Sequence, residues 1–485
     1  MACQQIGHRP RFQGKCDLTK SFLFIRPSLR PKKLIMKRNI IYFFTAVMAL
    51  LGCKDYLDAK PDKALATISS LYDMQSLLDD YLRLNNQSAA AAVIASDDYY
   101  VKDAALNAIA QEGDKRIYHW QKGNQFEGTL DGWYYAYQAV YYGNAVIEHI
   151  TELKRDAANE KEWDNIKGQA HFFKGTGMLF ATTIWAPAYE EATAAASLGV
   201  PIRASTDFNI KSTRASVAEC YEQLLKDFKA AAQLLPVDQI HAMRPSKIAA
   251  YAMLSRAYLM MNKYTEAKLY ADSALSLNDV LLDYNDLNAA AANPFTAYKG
   301  EVLCHLATAN PPILNQSNAM VVDELYQAYH VDDLRKTIFF RNVGTNLYTF
   351  KGNYTGGNAQ FLGPAVDELY LNRAESLARL NQLPLALDDL NNLMRKRWNK
   401  AKVYTPYASS DQATVIGYVL TERRKELLMR GTRWTDLKRL NSLGYNIEIK
   451  RSYNSSLSTL PANDSRYVMS IPEEIIGLTG MPQNP

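Results

Sequence analysis

Cysteine is scarce in this chain, with five among 485 residues. Beyond position 53 only Cys220 and Cys304 remain. Two cysteines in so long a stretch build no disulfide framework, so both read as buried free thiols. Membrane-length apolar runs are also missing. The run at residues 40–52 has 13 residues, short of the ~20 that a spanning helix needs. The seven histidines stand at 8, 119, 149, 171, 241, 305 and 330, and no two share metal-ligand spacing on one helix. There is no G-x-S-x-G elbow and no P-loop. Gly352, Gly356 and Gly357 lead into no G-K-[ST] helix start. With no base, nucleophile or metal site in sight, an enzyme is the weaker class, and no cofactor or metal is expected.

A basic arm is missing as well, although the whole chain carries +5. Residues 1–52 hold ten of the lysines and arginines and a single acid, Asp17. From Cys53 onward 45 basic residues face 49 acidic ones, a net charge of −4. Nucleic acid is therefore not an expected partner. The basic excess belongs to a segment of another kind, MKRNIIYFFTAVMALLGCKDY at 36–56. Lys37 and Arg38 form the charged head of a secretory signal and residues 40–52 its apolar stretch. Gly52 directly before Cys53 resembles a bacterial lipobox. Residues 36–52 are thus expected to be a lipoprotein signal peptide, with Cys53 as a lipid-modified N-terminus that ties the protein to a membrane. Residues 1–35 show no helical apolar period and read as a doubtful extension, with Met36 as the start.

Most of the chain beyond Cys53 has helical period. Leu71, Met74, Leu77, Leu78 and Leu82 recur at three- and four-residue spacing. Residues 132–153, 162–185 and 216–235 continue the pattern, and Pro236 ends the last of these. Residues 248–278 then show two helices of a tetratricopeptide-like hairpin, turning at Asn262–Lys263. Tyr251, Ser255, Tyr258, Tyr264, Ala267, Ala271 and Ala274 recur in register as Tyr370, Ala374, Leu377, Leu383, Ala386, Leu390 and Leu393. A last long helix is expected at 413–430, stopped by Gly431. Between the two hairpins, residues 279–363 are rich in Gly, Asn and Pro and form a loop-rich insertion. Short strands are expected there at 301–307 and 346–351. The expected fold is mainly α: a single domain over 53–485, with tetratricopeptide-like units near 132–185, 216–278 and 370–440.

The aromatic residues outside the helical period suggest a binding face. Tyr99 and Tyr100 follow Asp97 and Asp98 in IASDDYY, and Tyr118 and Trp120 lie in RIYHWQKGN. Tyr298, Tyr348 and Tyr354 lie in the insertion, as does Phe350. Sugar rings have apolar C–H faces that stack on aromatic rings, and hydroxyls that need carboxylate, amide or guanidinium partners; peptides use the same equipment. Asp97, Asp98, Tyr99, Tyr100, Tyr118, Trp120, Tyr298, Tyr348 and Tyr354 are the candidate ligand contacts. Core packing is the alternative for each, and Trp120 fits both readings equally. Trp133, Trp163 and Trp398 sit inside helical period and read as core. Adjacent Asp97 and Asp98 do not meet the opposed carboxylate geometry of ~5–9 Å used in glycoside hydrolysis, and read as cap and turn residues.

The segment LTERRKELLMRGTRWTDLKRL at 420–440 is dense in charge of both signs. Glu422 and Glu426 share a helix face, with Arg423 and Arg430 within reach of carboxylates. Arg433 and Asp436 open another helix. The balance of signs favours an ion-pair network that locks the last helices to the scaffold over an anion site.

Five places together resemble the SusD/RagB family of nutrient-binding outer-membrane lipoproteins. They are Cys53 with KDYLDAKPD, IASDDYY, GQAHFFKGTGMLFATTIWAPAY, TERRKELLMRGTRWTDLKRL and the ending IPEEIIGLTGMPQNP. Two departures stand out: Arg430 replaces the glutamate usual before the glycine, and the loop after Trp185 is long. The resemblance implies an α-domain with tetratricopeptide-like units and a surface lipoprotein that binds oligomeric nutrients. Glycan is the first expectation and peptide the second. It also implies delivery to a partner TonB-dependent outer-membrane transporter of the SusC/RagA type. The alternatives are a secreted all-α glycoside hydrolase, with Asp97, Asp98 and Asp131 as its loose candidates, and a repeat protein that mediates only protein contacts.

Overall fold

A computed structural model describes residues 68–85, 90–127 and 132–485. The signal peptide, Cys53, the 1–35 extension and Asp131 lie outside the described residues. Ten helices of eight or more residues stand among those described: α1 Leu71–Leu78, α2 Gly132–Ile150, α3 Glu160–Trp185, α4 Val217–Leu234, α5 Lys247–Met260, α6 Tyr264–Leu275, α7 Val366–Arg379, α8 Leu383–Arg397, α9 Gln412–Glu426 and α10 Arg433–Ser442. From α2 to α8 each helix packs against the next, and α9 joins α7 and α8. The fold is mainly α, as expected.

The two hairpins α5–α6 and α7–α8 share more than apolar register. Asn262 and Asn381 occupy equivalent turn positions, and both have left-handed backbone, φ 58° and 59°. Asparagine tolerates that region better than most residues. The amide after each turn closes back on the first helix in the same way: Lys263 donates to Tyr258 at 2.9 Å and Gln382 to Leu377 at 2.8 Å. Ala267, Ala271 and Ala274 on one hairpin, and Ala374 and Ala386 on the other, are fully buried. Small side chains let the paired helices approach closely.

Helices α2 and α3 touch through glycine. A Cβ on Gly143 would collide with the Ala170 carbonyl, and one on Gly177 with the Ala136 carbonyl. α4 starts where the sequence says it should. Ser216 and Glu219 form a reciprocal capping box at its N-terminus, which satisfies two otherwise unpaired amides. Ser216→Ala is expected to lower stability by about 1 kcal/mol, read from urea titration; an unchanged midpoint contradicts this.

Besides shorter helical turns, eight short strands are described: β1 Tyr99–Val101, β2 Leu198–Pro201, β3 Arg214–Ser216, β4 Ala319–Val321, β5 Phe340–Gly344, β6 Leu347–Phe350, β7 Ile449–Tyr453 and β8 Ser456–Leu460. The insertion supplies β4, β5 and β6, but its sheet runs β1-β4-β6-β5 and takes its first strand from far upstream. Tyr99 faces Val321 and Val101 faces Ala319. The strand expected at 346–351 is β6. The strand expected at 301–307 does not form; only isolated bridges occur, Val302 to Ala365 and Ala307 to Phe361. Two of its amides are diverted: His305 donates to Ala242 and Ala307 to Asn85. Residues 361–366 run antiparallel beside it, with Val366 donating to Glu301, Leu303 to Pro364 and Leu362 to Leu306, but the diverted amides leave the ladder broken.

α9 ends at Glu426, four residues before the expected limit. Met429 and Gly431 then turn the chain through left-handed backbone, φ 59° and 71°. Cys220 and Cys304 are free and buried. Burial pushes the Cys220 thiol up to about 11, which keeps it protonated and unreactive.

Candidate functional site

The charged segment that ends the helical scaffold forms an interior network. Arg335 is fully buried and reaches Asp333, Glu422 and Glu426. Arg397, also fully buried, bridges Glu426 at 2.7 Å and Glu301 at 2.9 Å. Arg423 pairs with Asp436, Arg439 with Asp436 and Glu375, and Arg430 with Asp367. The expected ion-pair lock is present. Glu301, Asp367 and Glu426 bring carboxylate oxygens within 4.8 Å of one another. Arginines 335, 397 and 430 and the Tyr354 hydroxyl take those oxygens, so the trio belongs to the network.

The network also claims several residues read as ligand contacts. Tyr354 is buried, with its hydroxyl 2.9 Å from Glu301 and 3.1 Å from Asp367. Asp97 and Asp98 are not cap and turn residues. Asp97 holds Arg433 through two bonds of 2.7 and 2.9 Å, and Arg424 reaches both aspartates. Burial raises the Asp97 carboxyl, but Arg433 and Arg424 outweigh it and hold it well below the usual range. Asp98, almost fully buried, is shifted the other way by burial. The signature near the C-terminus packs against IASDDYY, a pairing that spans more than 320 residues and leaves no local trace.

Tyr99, Tyr118 and Trp120 do come together, but around the protein's own cation. The Arg451 guanidinium, on β7, lies 3.9 Å from the Tyr118 ring centre, 4.8 Å from Trp120 and 5.3 Å from Tyr99. It donates to the carbonyls of Ile94, Ser96 and Tyr118. Trp120 has left-handed backbone, φ 53°, and its indole donates to Ala95 at 2.9 Å. All three aromatics are buried. Tyr100 is half-buried on β1. Tyr298 lies between the His241 and His305 rings, and Tyr348 stacks on Tyr326 at 3.5 Å. Trp133 and Trp163 are core as expected. Trp398 instead caps the end of α8, half-buried and stacked on His330.

The large open cleft lies elsewhere and contains none of the candidate contacts. It measures about 670 Å³, between α2, the loop at 201–212 and the C-terminal segment at 475–481. Helical spacing sets Trp133, Tyr137, Tyr141 and Asn144 along one side of α2. The loop opposite is held in shape. Tyr137 donates to the Pro201 carbonyl at 2.7 Å and Asn144 to that of Arg203 at 2.9 Å. The Arg203 guanidinium binds the carbonyls of Asp207 and Ile210 and the Ser212 hydroxyl, and so staples the loop across its base. Glu148 accepts from both the amide and the hydroxyl of Thr206.

This staple lifts Phe208 to the rim, 82% exposed. There it stacks on Tyr141, with ring centres 5.5 Å apart and planes 24° apart. Tyr134, two turns back on α2, is also exposed. An exposed aromatic pair costs apolar hydration and has no packing reason to persist. The hydroxyls of Ser205 and Thr206, the Lys211 ammonium and the apolar wall of Ile475 and Leu478 complete the cleft. Arg214 binds the Asn484 side chain at 2.7 Å, and Asn484 in turn donates to the carbonyls of Trp185 and Met469. The terminal Gln-Asn-Pro thereby fixes the third wall. A lone phenylalanine in the polar stretch STDFNIKS was the sequence signal for this site. Tyr141 gave none, because it falls within helical period.

Comparison with known proteins agrees with this architecture. A SusD-like family model, described as starch-binding and associating with the outer membrane, matches residues 55–259. A second model, the SusD family, matches residues 367–476. Together they cover about two thirds of the chain. No curated protein matches the chain. Among solved structures, a SusD superfamily protein from Bacteroides vulgatus shares 20% identity at a TM-score of 0.71, over 86% of this chain and 99% of its own. One from Bacteroides thetaiotaomicron shares 22% at 0.69, over 86% and 100%. A SusD-like carbohydrate-binding protein from Bacteroides vulgatus shares 19% at 0.63, over 85% and 96%. At these identities the structural likeness speaks for the fold, and the two sequence models name its lineage: the chain belongs to the SusD/RagB family.

Proposed function

We propose that this protein binds oligosaccharides at the outer membrane and passes them to a partner TonB-dependent transporter, acting by binding and not by catalysis. The stacked, exposed Tyr141–Phe208 pair beside hydroxyls and an ammonium carries the reading. Aromatic faces match the C–H faces of a pyranose, and the surrounding polar groups match its hydroxyls. Family membership and the sugar-binding relative support a glycan over a peptide. The expected lipid anchor at Cys53 would hold the protein at the membrane surface. Among the described residues no helix is long and apolar enough to cross a membrane.

Calorimetry against panels of oligosaccharides and peptides tests the ligand. Phe208→Ala and Tyr141→Ala are each expected to weaken the best glycan at least tenfold, about 1.4 kcal/mol, with the melting temperature nearly unchanged. Binding confined to peptides, or glycan binding indifferent to both substitutions, overturns the assignment. Recovery of a barrel-type transporter with the protein after mild detergent extraction tests the partner; a protein always recovered alone counts against it.

A further inference from the structure

A second, much smaller cavity of about 30 Å³ lies where α10 meets α3 and α5. A space of that size exceeds the ~10–15 Å³ that one water needs. It suits one small ion. Two features of its lining, and a third one turn further along α10, give it a positive character. First, it sits at the start of α10, a helix of ten residues whose N-cap, Thr432, makes no side-chain capping bond. Helix starts of this kind present unpaired amides and the positive end of the helix dipole.

Second, Arg430 lines the cavity, is 6% exposed, and its Nε has no hydrogen-bond partner among the described residues. Its other nitrogens go to Asp367 at 2.9 Å and more weakly to Gly363. A buried donor left without an acceptor costs about 1–3 kcal/mol, so an acceptor is wanted there. Arg256, also in the lining, has no such need, because Glu368, Leu362 and Gly363 take its donors. Third, Lys438 stands one turn beyond the lining residue Thr435 on α10. Its ammonium is buried with only carbonyl partners, those of Thr183 and Ala186, and Thr183 itself lines the cavity. No carboxylate balances it, and burial lowers it to about 7.

The carboxylates nearby are already spent: Asp367 on Arg430 and Glu368 on Arg256. One orphaned guanidinium donor and one uncapped helix start line a space too small for an organic acid, and a buried ammonium without a carboxylate partner stands one turn further along the same helix. We propose that this cavity binds a single small inorganic anion of halide size, chloride being the abundant one. The ion accepts from Arg430 and the α10 amides, at the joint between α10 and the scaffold.

Crystals of the protein grown in sodium bromide, measured at the bromine edge, test this directly. An anomalous peak in the cavity is expected. In parallel, melting is compared in chloride and in gluconate, an anion too large to enter, at equal ionic strength. A rise of a few degrees in chloride is expected for the wild type. Arg430→Gln removes the orphaned donor and is expected to abolish the difference. Because that change also breaks the Asp367 pair, Ala92→Val serves as the second variant. It fills the cavity from its apolar side and is expected to remove the chloride effect while leaving the protein folded. Water alone in the cavity, a bromide peak with no difference in melting, or a chloride effect that survives Ala92→Val overturns the proposal.

Discussion

Arg335→Ala is expected to be the most damaging single substitution in the scaffold, lowering stability by about 3–5 kcal/mol. Three carboxylates depend on this guanidinium: Asp333, Glu422 and Glu426. All are essentially without solvent exposure in the folded protein. Removing the cation leaves them facing one another in the interior. Lys425 compensates only in part, because it reaches Glu422 at 2.7 Å and Asp333 at 3.5 Å but not Glu426. Arg335→Lys is expected to recover little, since an ammonium does not span three carboxylates as the planar fork does.

One of these carboxylates, Glu422, makes stability depend on pH. Burial raises the Glu422 carboxyl, but Arg335 and Lys425 outweigh it and hold it down at about 2. Its folded value lies below its unfolded one, so its stabilising share is full above about pH 4.5 and fades as pH falls toward 2. Arg335→Ala is therefore expected to lose less stability at pH 3 than at pH 7. Urea titrations at the two pH values check this. A variant within about 1 kcal/mol of the wild type at pH 7 sinks the idea that the network locks the last helices.

Arg451→Met is expected to cost about 3 kcal/mol and to change tryptophan fluorescence. Methionine keeps the volume but not the donors. The carbonyls of Ile94, Ser96 and Tyr118 lose a charged partner, and hydrogen bonds to charged groups are worth about 1.5–3 kcal/mol each before relaxation. The stacking of the cation on Tyr118, Trp120 and Tyr99 adds about 0.5–2 kcal/mol. Trp120 reports the loss, because its indole lies against the guanidinium. Phe208→Ala should leave that fluorescence alone, since Phe208 belongs to the cleft. A fluorescence spectrum unmoved by Arg451→Met contradicts the placement of Trp120.

These two sites also show what a sequence can and cannot reveal. The tetratricopeptide-like hairpins were legible because their signal is local. Helical period, small residues and an asparagine turn all fall within about thirty residues. The helix over 216–235, ended by Pro236, was legible for the same reason. The ion network was legible in kind from its balanced charges, but its partners were not: Arg335 and Glu301 lie far upstream of Glu422 and Glu426. The aromatics of RIYHWQKGN look exposed because their neighbours are polar. Arg451, more than 330 positions after Tyr118, turns that segment into core. Conversely Tyr141 looks like core because a helix repeats it every turn or so, and only the stapled loop shows that it faces the cleft. Burial is decided by what returns from elsewhere in the chain, and long-range returns leave little mark in short stretches.

The sheet of the central insertion has a practical consequence for building hybrids. Its first strand, β1, comes from residues 99–101, not from the insertion. A chimera that imports only the 279–363 segment from a relative would ask β4 to pair with a foreign strand. Mismatch there would leave an open strand edge, a template for pairing with other chains. The smallest transferable cassette is thus discontinuous, and exchange of the insertion between relatives should carry IASDDYYV with it.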